Sequence, residues 1–408
     1  MKKVVIIGAG ASGMVAAIYA ARNKNEVIIL EKNNICGKKI LATGNGRCNY
    51  WNEDQKISHY RSSNKQILSE ILAEENKAEI LEFFNQIGIE PKIKNGYYYP
   101  FSNQAVSMQN ALLAEMERLN IKIKLNEEVQ SITKNKNVFV IGTKNKEDIY
   151  CDNIVLATGS KAAPKTGSQG FGYDILRKME HTIIKPLPAL VQLKLDEKFL
   201  GAWDGVRADC KVSFLENGKM QDEEKGEIQL TNYGVSGICI FNLSGRIARG
   251  LEDGKNEQIQ INFLDGLELN SKEDFINWMD KRAKTVVGRN LEQLLEGILN
   301  YKLVKVLVQN ANLNPKCKWQ DLKYIQKQEL AKNITNLTLK VTGTNSFDKA
   351  QVCSGGVLLD EINSKTMESK KVKSMFITGE LLDVDGDCGG YNLEWAWITG
   401  MIAGKNIK

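Results

Sequence analysis

Residues 3–31 read KVVIIGAGASGMVAAIYAARNKNEVIILE. Lys3 to Ile7 is a short β-branched run of the kind that fills a parallel strand buried on both faces. Gly8, Gly10 and Gly13 follow at G-x-G-x-x-G spacing. The first glycine permits a tight turn, the second lets a pyrophosphate approach the backbone, and the third lets a helix close on the strand. Ala11 to Arg22 is alanine-rich with apolar residues at helical spacing, and the N–H groups of Ala11, Ser12 and Gly13 would point at a phosphate. Glu26 to Leu30 predicts a second strand ending at Glu31, 18 residues after Gly13, close to the spacing of a carboxylate on a ribose hydroxyl. Strand, glycines, helix, strand and terminal acid in that order predict a dinucleotide-binding βαβ unit. The alternative is an ordinary βαβ unit with incidental glycines.

At 408 residues the chain is long enough for two or three domains. Its 42% hydrophobic and 25% charged residues are those of a globular protein, not a disordered or fibrous one. No apolar run reaches the ~18 residues that span a membrane, and the chain enters a strand at once without a signal-peptide pattern, which predicts a cytoplasmic protein. The eight cysteines are scattered without a C-x-x-C pair, and His59 and His181 are the two histidines, so no metal site is expected. The formal charge of +6 is compatible with an RNA partner without being diagnostic of one.

Beyond the βαβ unit, residues 37–49 (GKKILATGNGRCN) form a polar, glycine-rich stretch. Helices are predicted near 64–73, 78–87 and 104–119, and short strands near 121–125, 138–142 and 149–156. The last strand runs into Ala157-Thr158-Gly159, as the return strand of a flavoprotein with two dinucleotide folds does. Pro186 and Pro188 mark a boundary. From 190 to about 263 the pattern is short strands and turns; from about 271 to 333 it is helical and charged; a strand follows near 337–341. Near the C-terminus, strand 373–378, Gly379-Glu380, a glycine loop and a helix over 393–405 resemble the second half of an FAD site. The ADP half alone does not separate FAD from NAD; this C-terminal element and the A-T-G return strand select FAD.

The expected fold is therefore α/β: a two-dinucleotide-binding-fold (Rossmann-like) FAD domain with an inserted β-barrel-like domain that itself carries a small helical insert. The expected boundaries are 1–188 and 346–408 for the FAD domain and 189–345 for the inserted substrate domain, with its helical subdomain at about 271–333.

Further strings are G-A-G-A-S-G (8–13), T-G-N-G-R-C-N (43–49), A-T-G-S (157–160), P-K-T-G-S-Q-G-F-G-Y (164–173), C-S-G-G-V (353–357) and G-E-L-L-D-V-D-G-D-C-G-G-Y-N-L-E-W-A-W-I-T-G (379–400). Over nearly its whole length the chain resembles the BaiN/YhiN-like bacterial flavoproteins, also called aminoacetone-oxidase-family FAD-binding enzymes. The resemblance implies an FAD domain, a β-barrel-like domain and a helical insert. It also implies reduction of conjugated 3-oxo bile acids or formation of dihydrouridine in large-subunit ribosomal RNA, with amine oxidation as a third association.

The expected cofactor residues are Gly8, Gly10, Ala11, Ser12 and Gly13 at the pyrophosphate and Glu31 at the adenosine ribose. Val129 is placed at the adenine by the resemblance. Ala157, Thr158 and Gly159 lie on the return strand. Gly379 and Glu380 are placed at the ribityl chain, and Gly389, Gly390, Tyr391, Asn392 and Leu393 at the ring or diphosphate. Lys32 and Lys39 either touch phosphate or are solvated. Gly46, Arg47, Cys48 and Asn49 form a loop expected against the isoalloxazine, and Asp385 either contacts the ring or shapes its loop. Cys48, Cys388 and His181 are candidate proton donors; for Cys48 the alternative is a buried packing thiol, and for His181 a structural helix-end residue. Tyr97, Tyr98, Tyr99 and Phe101 either stack on a planar substrate or pack their own loop.

The implied reaction is hydride transfer from reduced flavin to the β-carbon of an electron-poor alkene, with an acid protonating the α-carbon. No second complete G-x-G-x-x-G marks a built-in nicotinamide domain, so NAD(P)H is expected as a transient reductant. A bile-acid dienone and the C5=C6 bond of uracil are both conjugated to carbonyls. The basic chain and Lys281, Arg282, Lys284 and Arg289 tilt the choice slightly toward RNA. A small unsaturated ketone, an amine oxidised in air and a non-catalytic flavin-binding RNA factor are the competing readings.

Overall fold

Five strands pair in parallel in the order Met375–Ile377, Asn153–Leu156, Lys3–Ile7, Glu26–Leu30, Lys122–Lys124. The computed structural model describes residues 1–146, 148–269 and 271–408. The four strands other than Lys122–Lys124 are buried along almost their whole length, as a sheet covered on both faces requires. Chain order departs in opposite directions from Lys3–Ile7, toward Glu26–Leu30 on one side and Asn153–Leu156 on the other. That switch point opens a crevice at the carboxyl ends of the strands.

Helix Ala11–Arg22 lies against the C-terminal helix Tyr391–Asn406. Gly400 and Gly404 make the close approach possible: a Cβ on Gly400 would lie 2.3 Å from Ser12 O, and one on Gly404 2.4 Å from Ala16 O. With strand Met375–Ile377 seated beside Asn153–Leu156, this brings the two ends of the chain into one core. Met1–Leu187 and Gln351–Lys408 make up this compact unit, and Pro188–Ala350 a second.

In the second unit, strands Leu193–Leu195, Gly234–Ser236, Lys219–Thr231, Arg207–Glu216, Glu257–Asn262 and Leu337–Thr344 close into a barrel in that order. Helices Lys272–Thr285, Leu291–Leu295, Tyr301–Asn310 and Tyr324–Thr335 come between its last two strands in the chain. Two element readings change. The stretch read as strands and turns from 190 to 263 contains a 15-residue helix, Ile238–Glu252. Its buried Cys239, Ile240, Leu243 and Ile247 recur at helical spacing, and the glycines and arginines between them obscured the period. The strand read at 149–156 is two strands: Asp148–Cys151 pairs antiparallel with Val138–Thr143, whereas Asn153–Leu156 joins the parallel sheet. The chain changes sheet at Asp152, whose Oδ2 accepts from Lys3 N (2.8 Å).

Among the described residues no helix is long and apolar enough to cross a membrane.

Candidate active site

The glycine fingerprint is sterically explicit. A Cβ on Gly13 would lie 2.0 Å from Gly8 O, and one on Gly8 2.5 Å from Ala157 O. At Gly10 nothing lies within 4 Å of a Cβ, so the second glycine faces open space. Helix Ala11–Arg22 begins there with no side-chain cap, which leaves its first N–H groups free for an anion. This uncapped helix start at a glycine facing open space is what a diphosphate requires.

Glu31 is buried beside this turn. Its Oε2 accepts from Ala9 N (2.8 Å), and its Oε1 accepts from Asn33 N (2.8 Å) and Nδ2 (2.7 Å). These bonds fix the carboxylate and leave lone pairs for a diol. Glu127 N donates to Glu31 O (2.9 Å), which brings Val129, two residues on, to the same edge. Lys32 donates to Gln169 (3.2 Å) at the surface. On the other side of Gly8, Ala157 N donates to Ile7 O, and Thr158 Oγ1 is buried without a partner. Gly159 adopts φ +69° against Ser168.

The C-terminal element meets this turn directly. A Cβ on Gly379 would lie 2.7 Å from Ser12 Oγ. Glu380 is paired with Lys39 (2.7 Å) and accepts from Ser160 Oγ (2.9 Å). These are the groups available to a polyhydroxyl chain and its phosphates.

A second wall is formed by residues 44–61 and 383–394. Gly44, Asn45, Gly46 and Cys48 all have positive φ, so the backbone of 44–48 curls outward with Gly44 to Arg47 exposed. The Asn49 amide reaches Trp51 O (3.0 Å) and Tyr98 O (3.1 Å). Gly389 (φ +135°) and Gly390 (φ +103°) precede the C-terminal helix, and a Cβ on Gly390 would strike the Trp51 backbone at 2.8 Å. Asn52 Nδ2 donates to Gly389 O (3.0 Å). Asn392 closes the loop on itself, accepting from Gly386 N (2.9 Å) and donating to Gly386 O (2.8 Å). Leu393 packs against the core behind it.

Side chains that the sequence reading passed over tie these segments together. Strand Tyr60–Arg61 pairs with Asp385–Gly386. Asp387 accepts from His59 Nδ1 (2.9 Å) and is ion-paired with Arg61. Asp54 Oδ2 lies 3.2 Å from His59 Nε2, and the His59 ring stacks on Tyr391 at 4.5 Å. Tyr391 donates to Asp54 O (3.0 Å). Glu394 is fully buried; it accepts from Gln55 (3.1 Å), and burial pushes its carboxyl up to about 7. Burial also pushes Asp385 up to about 6, against the pull of Arg61. One signal was visible in the sequence: an acid, Glu394, inside the apolar run that holds Trp395 and Trp397. Both tryptophans are buried, donating to Gly379 O (3.1 Å) and Tyr50 O (3.3 Å).

The three candidate proton donors differ in placement. Cys48 is fully enclosed, and burial pushes its thiol up to about 12. Cys388 is part-exposed and adjoins Gly389. His181 donates its backbone N–H to Leu176 O, and its Nε2 lies 2.8 Å from Ser369 Oγ. Ser369 N donates to Met375 O at the amino end of that strand, the end opposite the glycine turns, and burial lowers the imidazole pKa.

The family model described as "HI0933-like protein Rossmann domain" matches residues 2–406. A 3-dehydro-bile acid delta(4,6)-reductase from Clostridium scindens is 40% identical over 99% of this chain and 98% of its own. A ribosomal RNA dihydrouridine synthase from Escherichia coli is 28% identical over 99% of this chain and 97% of its own. Among solved structures, a 3-ketosteroid-delta4-(5alpha)-dehydrogenase from Rhodococcus jostii aligns over 99% of this chain and 96% of its own, with a TM-score of 0.50 at 14% identity. A flavocytochrome c3 fumarate reductase aligns over 99% and 78%, with a TM-score of 0.50 at 16% identity. The two solved structures share the fold. With the glycine cradle at both ends of one core and a family model covering 2–406, the chain belongs to the HI0933-like Rossmann family of FAD-dependent, BaiN/YhiN-type flavoprotein oxidoreductases.

Proposed function

We propose that this protein reduces a conjugated C=C bond in a small 3-oxo steroid of the bile-acid type, with NAD(P)H as the transient reductant. The observation that carries this reading is the 40% identity, over 99% of the chain, to a reductase named for that chemistry. Bound FAD would supply the hydride. The uncapped helix start at Gly10 would hold the diphosphate, and Glu31 with the edge at Val129 the adenosine. Lys39 and Glu380 would hold the ribityl and phosphate groups. The 44–49 and 389–393 loops would hold the ring of the bound cofactor. Cys388 holds the proton for the α-carbon, being the part-exposed member of the three candidates. The Pro188–Ala350 unit serves as the inserted substrate domain, its helices forming a subdomain. A cytoplasmic location suits a chain in which Cys36, Cys48, Cys151, Cys210, Cys239, Cys317 and Cys353 form no disulfide.

The second reading, uridine reduction in ribosomal RNA, is supported by the 28% identity to the Escherichia coli synthase. The test uses the FAD-loaded protein, reduced anaerobically by NADPH and mixed with a 3-oxo-4,6-diene bile acid. Flavin reoxidation matched by loss of the dienone absorbance is expected. Reduced flavin that persists with the dienone but is consumed by unmodified ribosomal RNA, giving dihydrouridine, would overturn the steroid reading in favour of the second.

A further inference from the structure

The hairpin of Pro91–Lys94 and Tyr97–Pro100 sets Lys92 opposite Tyr99 and Lys94 opposite Tyr97. Alternation along the strands puts these four residues on one face. One end of that face meets the candidate ring loop: a Cβ on Gly389 would lie 2.9 Å from Tyr97 Cε1. The other end meets the 44–49 loop, where the Arg47 guanidinium sits 5.4 Å above the Tyr99 ring. There Arg47, Lys92, Lys94, Tyr99 and Asn103 line a pocket of about 360 Å³.

Three cations share this pocket, and among the described residues none of them is ion-paired to a carboxylate. Glu53 lies at the hairpin turn, beside Gly96. Three other basic side chains of this unit are each held by a carboxylate: Lys39 by Glu380, Arg22 by Glu115, Arg61 by Asp387. Like charges gathered without a counter-charge raise each other's energy, and an anion removes that cost. Arg47 is held by its place over Tyr99 and by the bond from its Nε to Gly44 O (3.2 Å), and its guanidinium is the fork of donors that suits a carboxylate. The tyrosine rings give the same face an apolar, planar wall. From Tyr97 to Tyr99 is about 7 Å along the strand, so an anion in the pocket is about one ring system away from the glycine loop.

We infer that Arg47, Lys92 and Lys94 form a carboxylate-binding subsite that recognises the acidic end of a planar substrate whose reducible end lies at the 389–393 loop. The inference rests on the reading of that loop as the ring site, and it adds that the substrate is an acid held by its charge. The volume suits the end of a small molecule.

The test uses the FAD-loaded full chain with the K92E/K94E double substitution, and K136E as an exposed control. With a dienone bile acid and its methyl ester, the ratio of kcat/KM for acid over ester should fall about a hundredfold in K92E/K94E and stay within twofold in K136E. An unchanged ratio, with both compounds still turned over, overturns the subsite and leaves the proposed reaction standing. A second measurement is independent of turnover: calorimetric titration of the FAD-loaded wild type with cholate, which has no conjugated alkene. Binding that disappears in K92E/K94E supports the subsite even if no dienone is reduced. Absence of binding to the wild type, or binding that survives the double charge reversal, overturns it. A change confined to the KM of NADPH, or to affinity for a ribosomal RNA fragment, overturns it as well.

Discussion

The turn at 8–13 and the loop at 383–394 flank the same candidate site but are held by opposite means. At the turn, backbone meets backbone: Gly13 on Gly8 O, Gly8 on Ala157 O, with no room for one methyl group. At the loop, charged and titratable side chains do the holding: Asp387 on His59 and Arg61, Asp383 on Ser63 N, and the enclosed carboxyls of Asp385 and Glu394. Steric fit of this kind is independent of pH. A loop held by buried carboxyls responds to protons, because each of those groups is desolvated in the fold and solvated in the unfolded chain.

Substitutions can break this contrast. Gly13→Val should cost about 4 kcal/mol or more, since the new side chain strikes a backbone carbonyl that cannot move without shifting the strand. Urea midpoints and flavin content per chain measure it, and a stable, flavin-loaded G13V would end the steric account. Asp387→Ala should cost about 2 kcal/mol by removing the carboxylate that His59 and Arg61 share. A loss within about 0.5 kcal/mol, typical of an exposed position, would mean that the ion pair does not hold the loop.

Titration sharpens the comparison. Glu394 and Asp385 have pKa values of about 7 and about 6, raised above their ordinary values of 4.5 and 3.8. At these two carboxyls the native state therefore binds more protons than the unfolded state between about pH 4 and 8. The contribution of each group to stability should fall as pH rises through that window and level off above about 8, by on the order of 3 kcal/mol per group. Unfolding midpoints across pH 4.5 to 8 read this directly, and Glu394→Gln should flatten the part of the slope nearest neutrality. A slope unchanged in E394Q would mean that the group does not titrate there.

Smaller effects separate binding from folding. Gly10→Ala places its methyl in open space, so stability should stay within about 0.5 kcal/mol while the Kd for FAD rises about tenfold. Tighter or unchanged FAD binding would remove the diphosphate from that turn. Cys388→Ser should lower kcat about tenfold without altering the rate of flavin reduction by NADPH. Full activity in C388S would exclude Cys388 as the proton source.

The turn was far more legible in the sequence than the loop. A glycine that must touch a carbonyl leaves a mark at one position, and three such marks at fixed spacing, between two apolar runs and before Glu31, define a local motif. Helix Ile238–Glu252 went unread although its period was present, because glycine and arginine at 245–246 and 249–250 diluted it below the noise of a single segment. The sheet change at Asp152 left no break in the apolar pattern of 149–156.

By itself the sequence determined the βαβ unit, its glycine turn and the pairing of both chain ends in one flavoprotein fold, since each depends on residues within a few positions of one another or on strings specific to the family. Only the tertiary structure decided that His59 and Arg61 lie beside Asp387 and Gln55 beside Glu394, that Cys48 is enclosed while Cys388 is not, that His181 stands at the far end of the sheet, and that Arg47 shares a pocket with Lys92 and Lys94. Those pairs are separated by tens to hundreds of residues, and charge, unlike helical or strand periodicity, carries no local signature of its partner.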